Sequence, residues 1–142
     1  MTDASNSFPN FPTGQPAETG TPGNRRHDIL VVEDDDHIRS ALVTFLRRCA
    51  YVVHEAIDGR EAQLFLADHK VDVIITDISM PRGDGIELLL QVRKIPNPPR
   101  VIAISGGLPC GLKAAQQIGA WRTLAKPFAL EQLLATLQNA VA

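Results

Sequence analysis

A chain of 142 residues with 44% apolar residues, 21% charged residues and a net charge of −2 has the size and balance of one globular domain around one core. The small negative charge excludes a protein whose hold on nucleic acid is driven by a basic face. No apolar run approaches the roughly 20 residues that span a bilayer, no signal-peptide layout is present, and two cysteines, Cys49 and Cys110, suit reduced thiols in the cytoplasm.

Met1 to Arg26 carries Pro9, Pro12, Pro16 and Pro22 among Ser, Thr, Asn and Gly, with few apolar side chains beyond Phe8 and Phe11. That composition buries too little surface to offset its ordering entropy, so residues 1–26 are expected to be a disordered tail and residues 27–142 the folded domain. From Asp28 the pattern alternates strand and helix five times. Asp28 to Val32 reads as a strand, and Ile38, Ala41, Leu42, Phe45, Leu46 and Cys49 follow at the three-four spacing of one helix face. Tyr51 to Glu55 is a short second strand, after which Asp58 can cap a helix carrying Ala62, Leu64, Phe65 and Leu66. Val71 to Thr76 is the third strand. Gly85 to Lys94 makes a helix that Pro96, Pro98 and Pro99 end, because proline lacks the amide donor and restrains the residue before it. Arg100 to Ile104 is the fourth strand, Gly111 to Ile118 a helix and Arg122 to Ala125 the fifth strand. A last helix puts Leu130, Leu133, Leu134, Leu137 and Val141 on one face. Regular β-α alternation predicts a parallel sheet covered on both sides, with right-handed crossovers.

The polar residues that follow these strands share one rim. Glu33 and Asp34 follow the first strand, Asp77 the third, Ser105 the fourth and Lys126 the fifth. Open α/β sheets keep their ligand crevice at this carboxyl edge. The stretches Ile29 to Asp35, Ile75 to Pro81 with Asp84-Gly85, Ala103 to Gly106 and Lys126-Pro127-Phe128 together resemble the motif set of bacterial response-regulator receiver domains, from about Asp28 to Ala142. Each motif is weak alone, whereas all of them in this order and spacing are a strong signal. The resemblance implies a flavodoxin-like doubly wound α/β fold, a sheet of five parallel strands in the order 2-1-3-4-5 flanked by five helices.

Three carboxylates converging at Glu33, Asp34 and Asp77 repel one another unless a cation sits among them, and hard oxygen ligands select Mg²⁺. The expected ligands are Asp34 and Asp77 directly, Glu33 through water and the backbone carbonyl of Ser79. Asp77 in that setting is a nucleophile toward phosphorus, while Lys126 and the Ser105 hydroxyl meet charge on the transferred group. Family resemblance supplies the donor, a phosphohistidine on a sensor histidine kinase or a histidine phosphotransfer protein. It makes the chain a phosphoacceptor that catalyses its own phosphorylation and dephosphorylation and is not a dedicated enzyme. Kinase recognition is expected at the first helix around Ile38, Arg39 and Leu42, and readout to a downstream protein target at the face of the fourth helix, fifth strand and fifth helix. No pattern for an output domain follows the last helix, so a complete chain of this length would be a single-domain, chemotaxis-type receiver.

One departure concerns that readout. Receivers often carry an aromatic residue three positions before the motif lysine, and here that residue is Thr123. Trp121 packs the nearby loop more readily than it replaces the aromatic switch. The family's Lys-Pro bond is typically cis, and the same is expected at Lys126-Pro127. Plainer readings exist for single residues: Asp35 or Asp36 can cap the first helix, and His27, His37, His54 and His69 lack metal-ligand spacing. Three alternatives to the phosphoacceptor follow. A haloacid-dehalogenase-type phosphatase needs a second acid two residues after the nucleophile, where Ser79 stands. A flavin protein would suffer from the acidic first turn. A receiver-like interaction module that acts without phosphorylation is kept open by Thr123.

Overall fold

Strands β1 (Asp28–Val32), β2 (Val52–Ala56), β3 (Val73–Asp77), β4 (Arg100–Ser105) and β5 (Arg122–Ala125) alternate with helices α1 (Asp36–Arg48), α2 (Gly59–Asp68), α3 (Asp84–Val92), α4 (Pro109–Ile118) and α5 (Leu130–Val141). They belong to a computed structural model that describes residues 26–80, 84–106 and 109–142, with the backbone alone at 84, 109 and 110. The expected tail, residues 1–26, lies outside the described residues but for Arg26. All strand pairs are parallel, and the sheet order is β2-β1-β3-β4-β5, the expected flavodoxin-like arrangement.

Alternation along the strands splits the core in two. Ile29, Val31, Val73, Ile75, Ile102 and Ile104 face one side, where Leu42, Val43, Phe45 and Leu46 of α1 and Leu133 and Leu137 of α5 close over them. Leu30, Val32, Ile74, Val101 and Ala103 face the other, beneath Ala62 of α2, Leu88, Leu89 and Val92 of α3 and Ala115 of α4. Each large side chain taken fully out of water contributes about 1.5–3 kcal/mol, so the central strands are the best-anchored part of the sheet.

The ends of the elements follow local chemistry. The Asp35 carboxylate accepts the Ile38 amide at 3.0 Å and caps α1. At α2 the Asp58 carboxylate accepts the Glu61 amide while the Glu61 carboxylate accepts the Ile57 amide, both at 2.8 Å, so one exchange caps the helix start and fixes the chain that enters it. Gly119, at φ 133°, carries the chain out of α4 in a conformation other residues adopt only under strain.

Several expectations shift. β3 begins at Val73 rather than Val71 and takes in Asp77 as its last paired residue, opposite Ile104. The buried face of α1 includes Val43 and leaves Ile38 and Ala41 exposed, while Leu64 of α2 is 65% exposed. Three-four spacing identifies a helix but places its buried arc only to within a residue, because the sheet it packs on sets the final rotation. α4 starts two residues earlier than expected, at Pro109.

Candidate functional site at the carboxyl edge of the sheet

Parallel register brings the expected residues to one place. Asp77 ends β3 and Ser105 ends β4, and both are buried. The Ile78 amide donates to the Ile104 carbonyl at 2.8 Å and the Lys126 amide to the Ser105 carbonyl at 2.9 Å, so the ladder holds the chain just beyond each strand end. Glu33 follows β1 and donates its amide to the Ala56 carbonyl of β2 at 3.1 Å. A carboxylate that is only 2% exposed thus sits where β1 has finished pairing.

Within this rim the Lys126 ammonium donates to Asp77 Oδ2 at 3.0 Å and to Glu33 Oε1 at 3.3 Å. The peptide bond between Lys126 and Pro127 is cis, as expected from the resemblance. Carboxylate oxygens of Glu33, Asp34 and Asp77 lie within 4.8 Å of one another, and Asp34 is exposed while the other two are buried. Three acids face one ammonium, so the rim keeps an excess of negative charge built from hard oxygen donors. That donor set fits a hard divalent cation such as Mg²⁺ and is unsuited to soft metals.

The electrostatics divide the two buried acids. Burial raises the Glu33 carboxyl to about 7, with repulsion from Asp77 adding to it and the Asp35 amide and Lys126 opposing. For Asp77, burial pulls upward but is outweighed by the Ser79 hydroxyl and amide and by Lys126, which hold its carboxyl below the usual range. Burial works against charge on Lys126, yet its bonds to Asp77 and Glu33 keep the amine above its ordinary value. Asp77 is therefore the acid held ionised, as a nucleophile must be.

Two contributions escape a sequence reading. Ser79, expected to offer its backbone carbonyl, donates both its amide, at 2.7 Å, and its hydroxyl, at 2.6 Å, to Asp77 Oδ1. The signal was present as a serine two residues after an aspartate, the spacing of a turn closed by the acid side chain. Gly85 opens α3 so close to the site that a Cβ there would lie 2.5 Å from both the Asp77 carbonyl oxygen and the Ile78 Cα. The glycine is a requirement of packing, which no local pattern reveals. Gly106 differs, since a Cβ there would meet the Lys126 stem at 3.4 Å. Trp121 immediately precedes β5, at the opposite edge from Lys126, with the guanidiniums of Arg100 and Arg122 over its ring. Its role is packing, as expected.

Residues 29–138 match the family model of the response regulator receiver domain. This chain belongs to the response regulator receiver domain family. Response regulator MprA of Mycolicibacterium vanbaalenii is 37% identical over 111 residues, covering 78% of this chain and 48% of the relative. Among solved structures, the chemotaxis response regulator CheY4 of Vibrio cholerae aligns with a TM-score of 0.72 at 32% identity, over 82% of this chain and 99% of that one. A signal receiver domain from Bermanella marisrubri aligns with a TM-score of 0.78 at 30% identity, over 83% and 100%. The chain spans about half the length, or less, of the first curated relatives it matches. The receiver domain is the signal-receiving part of two-component response regulators, and no helix among the described residues is long and apolar enough to cross a membrane.

Proposed function

We propose that residues 27–142 form a receiver that takes a phosphoryl group onto Asp77 from a phosphohistidine on a sensor kinase or histidine phosphotransfer protein in the cytoplasm. The observation that carries this reading is the Lys126 ammonium bridging Asp77 Oδ2 and Glu33 Oε1 beside the exposed Asp34 carboxylate. An Asp77 carboxylate oxygen forms the bond to phosphorus while the donor's N–P bond breaks and its electron pair returns to the imidazole. Glu33, Asp34, Asp77 and the Ser79 carbonyl are the residues to hold Mg²⁺, which supplies charge neutralisation for the transferred group. Lys126 meets a second phosphoryl oxygen with its ammonium, and the Ser105 hydroxyl, at the end of the neighbouring strand, donates to a third.

The acceptor then passes its signal to a downstream protein or relays the group onward, and its own site promotes loss of the phosphoryl group to water. Its chemistry serves signalling, and the chain turns over no separate substrate. With Thr123 partly exposed on β5, readout works through movement of the Ser105 end of β4 and not through an aromatic side chain.

The test is incubation with Mg²⁺ and acetyl phosphate followed by intact mass, beside Asp77→Asn. Gain of one phosphoryl group by the wild type alone is the expected result. No gain in either protein, with phosphorylated histidine kinases also tried as donors, would replace this reading by a phosphorylation-independent interaction module.

A further inference from the structure

Arg39 lies one turn into α1, with a side chain only 13% exposed. Its guanidinium reaches three separate parts of the molecule. Nη1 donates to the backbone carbonyl of Glu33 at 2.8 Å, Nη2 to Asp36 Oδ1 at 2.6 Å and Nε to Glu55 Oε1 at 3.2 Å. The turn after β1 is thereby tied both to the helix it leads into and to the end of β2. A planar guanidinium suits this task because its donors point in fixed directions.

The Glu33 carbonyl belongs to the peptide that leads into Asp34. On the near side the Glu33 amide is held by Ala56, and on the far side Asp35 is held by the α1 cap and by its own amide, which donates to Glu33 Oε2 at 3.1 Å. The Asp34 side chain itself is exposed. Its direction therefore depends on how firmly the backbone around it is clamped. Of the three residues expected to greet a kinase, Leu42 is buried and Arg39 is turned inward, which leaves Ile38, at 36% exposure, as the exposed member.

We propose that Arg39 is a positioning residue for the cation site, holding the Glu33-Asp34 peptide so that the Asp34 carboxylate stays beside Glu33 and Asp77. This inference rests on the proposed Mg²⁺ site. Removing the side chain has two opposed consequences: losing a positive charge beside several carboxylates favours a cation, and losing the clamp disfavours it. Arg39→Lys separates them, since the charge stays and the fork is lost.

The experiment compares wild type, Arg39→Lys and the double variant Asp36→Asn with Glu55→Gln, which keeps Arg39 but removes the carboxylates that steer its fork. Mg²⁺ binding is followed by titration calorimetry, and deuterium exchange is followed in residues 33–36 with the strands as a monitor of folding. Arg39→Lys is expected to bind Mg²⁺ about five-fold more weakly, the effect of losing roughly one net hydrogen bond. Both variants are expected to exchange faster in 33–36, with the strands unchanged. Unchanged exchange there in either folded variant, or Mg²⁺ affinity of Arg39→Lys within about two-fold of wild type, overturns the inference. So does a loss of phosphoryl transfer from a histidine kinase with acetyl phosphate and Mg²⁺ binding intact, which would return Arg39 to partner docking. A wild type that binds no Mg²⁺ would instead strike the proposed function.

Discussion

The two edges of the same sheet handle charge in opposite ways. At the amino edge, polar groups meet in small sets that mix carboxylates with histidines: the Asp72 carboxylate accepts the Asp28 amide at 2.8 Å with His27 Nδ1 3.6 Å away, and His54 Nε2 lies 3.3 Å from Asp28 Oδ1. Arg100 and Arg122 there rest on the Trp121 ring, with Cζ 5.0 and 4.1 Å from its centroid. At the carboxyl edge, by contrast, Glu33 and Asp77 share the ammonium of Lys126, and Asp34 adds a third carboxylate within 4.8 Å of theirs. Charged and polar groups that meet in small local sets serve the fold. A set left with excess charge, held in place by strand ends, has work for a ligand to complete.

The contrast is broken most directly by exchanging a cation at each edge. Lys126→Ala is expected to slow phosphoryl gain from acetyl phosphate about a hundredfold, the scale of losing one donor aimed at developing charge. Arg122→Ala, at the other edge, should leave that rate unchanged and cost about 0.5–1 kcal/mol of stability from its lost cation–π contact. Equal rates in the two variants, followed by intact mass over time, would erase the distinction.

A second comparison sharpens the role of packing at the carboxyl edge. Gly85→Ala forces a Cβ against backbone atoms at 2.5 Å, so α3 must move, and a loss of roughly 1–3 kcal/mol in urea unfolding is expected. Gly106→Ala meets only the flexible Lys126 stem at 3.4 Å and should fall within about 0.5 kcal/mol of wild type.

A third comparison, between the two buried acids, is a pH dependence. The Glu33 carboxyl, raised to about 7 from an ordinary 4.5 chiefly by burial, binds its proton more tightly when folded than when unfolded. Its contribution is therefore full below about pH 4.5 and lost as pH rises through about 7. Asp77 acts in the reverse sense, since its folded carboxyl lies below 3.8 and its contribution is lost only as pH falls through that lower value. Denaturation in magnesium-free buffer should show stability declining from about pH 5 to about pH 8, a decline that Glu33→Gln flattens. A profile for Glu33→Gln parallel to wild type would show that Glu33 is not the group responsible.

The readable parts of this chain were those set by neighbours in sequence. Asp35 and Asp58 cap helices because their carboxylates reach amides three residues on, and Asp58 could be identified from local pattern alone. Asp77, Ser105 and Lys126 could be sent to one edge because each follows an apolar run and parallel strands all end on the same side. Ser79 was legible as a residue but not in its action, since its hydroxyl bond to Asp77 is a choice of rotamer.

The order of apolar runs, turns and acids by itself determined a parallel five-stranded sheet and the edge that holds the candidate site, because both rest on periodicity and on residues close along the chain, and the motif set carried the resemblance to the family. Only the tertiary structure decided that Arg39 faces the Glu33 carbonyl, that Glu33 and Asp77 share Lys126, and that Gly85 lies against the backbone of Asp77 and Ile78. These contacts join β1 with α1 and β2, β1 and β3 with β5, and α3 with β3. Their geometry exists only once the helices have packed on the sheet, and packing sets side-chain distances that no local pattern encodes.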